Sequence, residues 1–271
     1  MSQDLIDRHA LMRQRARISG NPVTFLHETA CDDVQDRLMM VNRSFTAPAI
    51  VTPFPEIWRA AFPDAVIVPD DDVLALQPGA HDLVIHALCL HWSNDPVGQL
   101  IQCRHALRPD GLMMTITFGG QTLNELRTAL AEAETAVTGG LSPRVLPMGE
   151  IRDYGGLLQR AGFALPVADS LPLKASYASA LHLMRDLRGM GEGNAMTARL
   201  RRPSRRAVLL EAARRYSDAH ALPDGRIPAT FDLITLTGWA PDASQPQPLR
   251  PGSAAARLAD ALGTQEKALR D

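Results

Sequence analysis

Two histidines and an acidic cluster are the residues best suited to chemistry in this 271-residue chain. His86 and His91 fall in and just after Asp82–Leu88, an apolar run with the residue types of a strand. An imidazole at the carboxyl end of such a strand can serve as a general base or a metal ligand. It can equally be a hydrogen-bonded rim residue. Trp92, beside His91, suits a packing lid over a ligand or partner better than a chemical role. Asp70, Asp71 and Asp72 follow a second apolar run, Ala65-Val66-Ile67-Val68. Carboxylates so placed either accept nucleoside hydroxyls or form a solvated acidic turn. Gly119 and Gly120 precede a helix signal, so their backbone N–H groups are candidates to face a pocket. An ordinary strand–helix turn is the plainer reading.

Other chemistry is less well supported. Cys31, Cys89 and Cys103 are an odd set without close pairing, which argues against a disulfide framework. No Cys-x-x-Cys occurs, and no metal site is expected. The arginines at 199, 201, 202, 205, 206, 214 and 215 read as a solvated helix face or a dock for an acidic partner or phosphate. No aromatics interleave with them, which speaks against nucleic acid. Net charge is −2, hydrophobic residues make up 45%, and no apolar run approaches a membrane span of about 20 residues. The opening Met1-Ser2-Gln3-Asp4 has no signal pattern, so a cytoplasmic protein is expected, with peripheral contact to a membrane complex left open.

The positioning elements alternate. Helices are predicted over 1–17, 23–41, 55–62 and 95–107, with strands at 49–52, 65–68 and 82–88. Arg108-Pro109-Asp110-Gly111 reads as a turn before a strand at 112–118. Thr122 and Glu125 suggest a capping box for a helix to about Val137. Helices follow at 149–161, 178–189 and 204–220, then a late strand at 231–239. After Pro241 the composition turns to Pro, Gln, Ser and Ala, as in an extended or mobile tail. The alternation predicts an α/β fold with a largely parallel sheet covered on both faces. Residues 1–45 would be a helical segment, 46–240 the α/β domain and 241–271 the tail.

Asp82-Leu83-Val84-Ile85, Leu90-His91-Trp92-Ser93-Asn94-Asp95 and Leu107-Arg108-Pro109-Asp110-Gly111 resemble the middle of a class I S-adenosylmethionine-dependent methyltransferase. In that fold they would be the fourth strand, the rim of the site and the turn before the fifth strand. More specific are Phe118-Gly119-Gly120-Gln121-Thr122-Leu123, Gly139-Gly140-Leu141-Ser142-Pro143-Arg144, Asp186-Leu187-Arg188-Gly189-Met190-Gly191, Asp224-Gly225-Arg226-Ile227-Pro228-Ala229 and Arg250-Pro251-Gly252-Ser253. With Ile6-Asp7-Arg8, these are similar to the BioC-like branch, which includes mitochondrial complex I assembly factors; in that branch the resemblance implies hydroxylation of an arginine of a peripheral-arm subunit. The resemblance implies a Rossmann-like sheet, S-adenosylmethionine as family cofactor, and a protein or acyl-carrier substrate.

One departure matters. The family's cofactor loop is glycine-rich, because the backbone must turn tightly and let the ligand approach. Here the first strand runs into Thr52-Pro53-Phe54-Pro55-Glu56, and no glycine lies between Gly20 and Gly79. The span from Ala49 to Asp82 is also short, so a helix and a strand are missing or merged. Ala65-Val66-Ile67-Val68 with its acidic turn resembles the third strand of the fold rather than the second. Gln121 replaces the family's acid.

The expectation is therefore a methyltransferase-fold protein, truncated in its N-terminal half, with a degenerate S-adenosylmethionine site and a protein client, as in respiratory complex I assembly. Two alternatives stand: an active methyltransferase with S-adenosylmethionine against Asp70, Asp71, Leu88, His91, Trp92, Gly119 and Gly120, or a pseudoenzyme paired with an intact paralogous subunit.

Overall fold

The computed structural model describes residues 4–18, 22–246 and 263. Apolar runs without alternation become the central strands, because helices cover both faces of the sheet. The strands are β1 (Pro48–Val51), β2 (Val66–Val68), β3 (His81–Ala87), β4 (Leu107–Phe118), β5 (Ala164–Tyr177) and β6 (Ile227–Trp239). They form a six-stranded sheet in the order β2-β1-β3-β4-β6-β5. The pairings among β1, β2, β3 and β4 are parallel, and β6 runs antiparallel to both β4 and β5.

Alternate side chains serve opposite layers. Leu83, Ile85 and Ala87 pack into one core with α2 (Phe25–Met40), α3 (Pro55–Ala61), α5 (Asn124–Thr138), α7 (Ala180–Gly189) and α8 (Arg206–His220). Val84 and Met113 pack into the other, with α4 (Pro96–Ala106) and α6 (Ile151–Arg160). A smaller cluster of Ile6, Ala10, Leu11, Trp92, Leu146, Ala195 and Met196 docks α1 (Arg8–Arg15). Met1–Pro241 is one compact unit, and Asp242–Asp271 is a second. Cys31, Cys89 and Cys103 are buried free thiols.

Several expectations need correction. Val66–Val68 pairs directly with β1. It thus takes the place of the second strand, and the sheet ends there. Thr122 makes no capping box: the α5 N-cap is Leu123, in the left-handed region at φ 55°, without a side-chain cap bond. The Thr122 hydroxyl instead exchanges hydrogen bonds with the Asp232 backbone, and Glu125 reaches Thr230. Residues 108–111 are part of β4, but they bulge between the pairs His81↔Leu107 and Leu83↔Leu112, with Asp110 at φ 58°. The helix break at Gly20-Asn21-Pro22 (at residues 20 and 21), the motif Arg250-Pro251-Gly252-Ser253 and, but for residue 263, the tail beyond 246 lie outside the described residues.

Candidate functional site

The chain leaves β1 for β2 on one side and returns to β3 on the other. The crevice at the carboxyl ends of β1 and β3 is thus the topological switch point, where ligands of open α/β sheets sit. Thr52, just past β1, is buried; its amide donates to Val68 O and its hydroxyl accepts from the Phe54 amide. The Phe54 ring lies 4.6 Å from the His27 ring, and His27 Nδ1 accepts from Trp58 Nε1. Burial drives the His27 imidazole down to about 3, so it is neutral.

Asp70 lies just beyond β2, and it is not solvated: only 8% of it is exposed. Arg15 Nη1 reaches both carboxylate oxygens, at 2.7 and 2.9 Å, and Arg8 Nη1 donates to Oδ2 at 3.2 Å. Arg8 Nη2 also donates to the Asp70 carbonyl. Burial pushes the Asp70 carboxyl up, but the guanidiniums of Arg15 and Arg8 outweigh it and hold the group below its ordinary range. Both arginines come from α1, which is anchored elsewhere by Asp7–Arg199 and by the Ile6–Asn94 backbone contacts. Asp71 is exposed, and its carbonyl accepts from Gln99.

Leu88 closes β3 in the left-handed region at φ 51°, a strained state for a leucine, with its amide on Ile116 O. That turn carries the chain into a 3-10 turn over Leu90–Trp92. There His91 Nε2 lies 3.1 Å from Glu192 Oε2, and Trp92 Nε1 donates to the same oxygen at 2.9 Å. His91 Nδ1 is buried without a partner among the described residues, and its ring contacts Phe118 at 4.8 Å. His86 lies apart, beneath α4, between Gln99 and Cys89, with burial holding its imidazole at about 4.

Trp92, Phe118 and Glu192 border a cavity of about 410 Å³ enclosed by α5, α7 and α8. A loop roofs it at Arg144–Met148. Arg144 donates from Nε and Nη2 to the Glu134 carboxylate at 2.9 and 2.8 Å, and the Ser142 amide and hydroxyl join them. These bonds, the one from Arg144 first, pull the Glu134 carboxyl down to about 2. Gly119 and Gly120 do not face this cavity. The Gly119 amide donates to Asp232 O, and a Cβ on either glycine would collide with the Asp232 or Glu150 carboxylate. The structure thus joins His91 and Trp92 through Glu192, and ties Asp70 to Arg8 and Arg15. Sequence reasoning missed Glu192, Arg144 and the Arg8–Arg15 pair on Asp70. Glu192, Arg144 and Arg8 lay within quoted motif segments or next to them, and Arg15 did not.

A crossover at β1/β3 in a mainly parallel sheet, closed by an antiparallel β6, defines a class I methyltransferase-type Rossmann-like fold. Within that class the chain is BioC-like, and its sequence relatives are of two kinds. It is 37% identical over 198 residues to arginine-hydroxylase NDUFAF5, mitochondrial, of Danio rerio, covering 73% of this chain and 61% of that one. It is 38% identical over 192 residues to the Homo sapiens protein of that name, covering 71% and 55%. The malonyl-[acyl-carrier protein] O-methyltransferase of Laribacter hongkongensis is 35% identical over 179 residues, covering 66% and 58%. The matched segments span about three fifths of these relatives' length at most. No family model matches the chain. Among solved structures, a putative methyltransferase from Bacillus halodurans aligns with a TM-score of 0.49 at 11% identity, covering 76% of this chain and 98% of that one. The relatives named as mitochondrial overturn the expectation of a cytoplasmic chain. Among the described residues no helix is long and apolar enough to cross a membrane, and no cluster of metal-ligating side chains occurs.

Proposed function

We propose that this chain is a methyltransferase-fold assembly factor that binds or acts on a protein client, such as a subunit of respiratory complex I, without S-adenosylmethionine. The observation that carries the reading is Asp70. It is the carboxylate best placed at the switch point to accept ribose hydroxyls, and both its oxygens are engaged by arginines of the chain's own first helix. The turn after β1 supports this. Pro53 and Pro55 have no N–H to offer a ligand, and Phe54 packs on His27. The residues present therefore do not fit the adenosyl cofactor. Support for the client comes from the relatives named arginine-hydroxylase.

Isothermal titration of the whole chain with S-adenosylmethionine and S-adenosylhomocysteine tests the cofactor half. No heat is expected at concentrations where an intact site saturates, and micromolar binding overturns the reading. Crosslinked capture with mass spectrometry tests the client half, with a peripheral-arm subunit of NADH:quinone oxidoreductase as the expected product. Repeated capture lacking any such subunit counts against it.

A further inference from the structure

We propose that the cavity under α5, α7 and α8 binds a single alkyl or acyl chain ending in an anionic head, either carboxylate or phosphate. No residue of β1 or its turn lines this cavity, so the inference stands apart from the reading of the switch point. The interior is a hydrocarbon surface: Leu123, Leu126, Leu130, Leu146, Met148 and Phe231 supply much of it. Methionines adapt to a flexible chain, and Met184 adds a second one. The volume of about 410 Å³ holds roughly a dozen heavy atoms at the ~30 Å³ each occupies in a liquid. That is the size of decanoate.

Charge at the border selects the head. Arg188 lines the cavity, is exposed, and has no ion pair among the described residues. Ser204 also lines it, and Arg201, Arg202, Arg205 and Arg206 around Ser204 are exposed and equally unpaired. Arg144 is neutralised by Glu134. Glu192 is the one carboxylate of the lining, and its Oε2 is already engaged by His91 and Trp92. Glu192 is mostly buried, so the charge that faces solvent at the border is that of Arg188, and an anionic head pairs with it.

Isothermal titration of the whole chain with hexanoate, octanoate and decanoate tests the chain. Affinity should rise about tenfold for each two added methylenes, as apolar burial requires. Decyl phosphate, decanol and decylamine test the head. Decanol should bind about tenfold more weakly than decanoate, through loss of one charge-assisted contact, and decylamine more weakly still. Tighter binding of decyl phosphate assigns the head to a phosphate ester, and tighter binding of decanoate to a free fatty acid. Arg188→Gln should remove decanoate's advantage over decanol and leave decanol unchanged. Met184→Trp should fill the cavity and abolish binding of every probe while far-ultraviolet circular dichroism stays native. The proposal is overturned by an absence of decanoate binding, by affinity independent of chain length, by decylamine matching decanoate, or by an Arg188→Gln variant that behaves as wild type.

Discussion

Replacing Asp70 with asparagine probes the closed crevice directly. The carboxylate is 8% exposed, and the Arg8 and Arg15 side chains are 16% and 15% exposed. Asp70→Asn leaves two guanidiniums facing each other with Asp72 as their remaining acidic neighbour, at 3.7 Å from Arg8 Nε and itself 75% exposed. Removing one partner of a buried ion pair costs about 3–5 kcal/mol. The arginines retain some solvent, so the lower end applies, about 3 kcal/mol. Urea unfolding at pH 7 should show that loss as a lower midpoint at unchanged slope. The triple variant Arg8→Met, Arg15→Met, Asp70→Leu should recover most of it, because exchanging a whole buried ion cluster for apolar groups is close to neutral. pH supplies a second readout. The folded Asp70 titrates below its ordinary range, so its contribution is present above the unfolded value near 3.8 and lost as pH falls through the lower folded one. In Asp70→Asn this part of the acid limb should vanish. A cost below about 1 kcal/mol at pH 7 would mean a solvated carboxylate and would refute the argument that α1 closes the crevice.

Three further outcomes are expected. His86 and His27 are buried neutral, at about 4 and about 3, against 6.5 when exposed. Stability should therefore fall as pH drops from 6.5 toward 4, and His86→Gln should reduce the difference between pH 7 and pH 4.5 by about 2–3 kcal/mol in denaturant titrations. Glu134→Gln should loosen the cavity roof, seen as faster amide exchange at 142–146. Because Glu134 is held at about 2, wild type should keep this contribution above pH 4.5 and lose it as pH falls through 2. Gly119→Ala should drive a methyl group into the Asp232 carboxylate and Ile234. It should destabilise by about 1–3 kcal/mol while decanoate affinity is unchanged, since Gly119 does not line the cavity.

Much of the fold was legible because its signals are local. β3 is centred on the apolar triplet Leu83-Val84-Ile85, and α6 ends at Gly162, which takes φ 80°. β5 was not legible: Leu171, Leu173, Ala175 and Tyr177 do alternate, but Pro166 and Pro172, which an edge strand tolerates, masked the run as a strand. At the site, His91 and Trp92 were found through motif and strand position. The partners that give them meaning were not, since Glu192 lies 101 residues from His91 and Arg8 lies 62 from Asp70. Charge pairing across such distances leaves no periodic trace. The backbone role of Gly119 was misjudged because a glycine before a helix reads alike whether a ligand or a neighbouring carboxylate crowds it.

The ties of α1 bear on the order in which the molecule is made. Asp7 waits for Arg199, a residue 192 positions later. During synthesis the helix emerges long before this partner, so its full set of ties can form only once Arg199 exists. Its docking is thus a late, long-range event with a high loop-closure cost. A nascent chain stalled short of Arg199 would hold α1 over the crevice by Asn94 and Asp70 alone, a looser closure than the finished protein's.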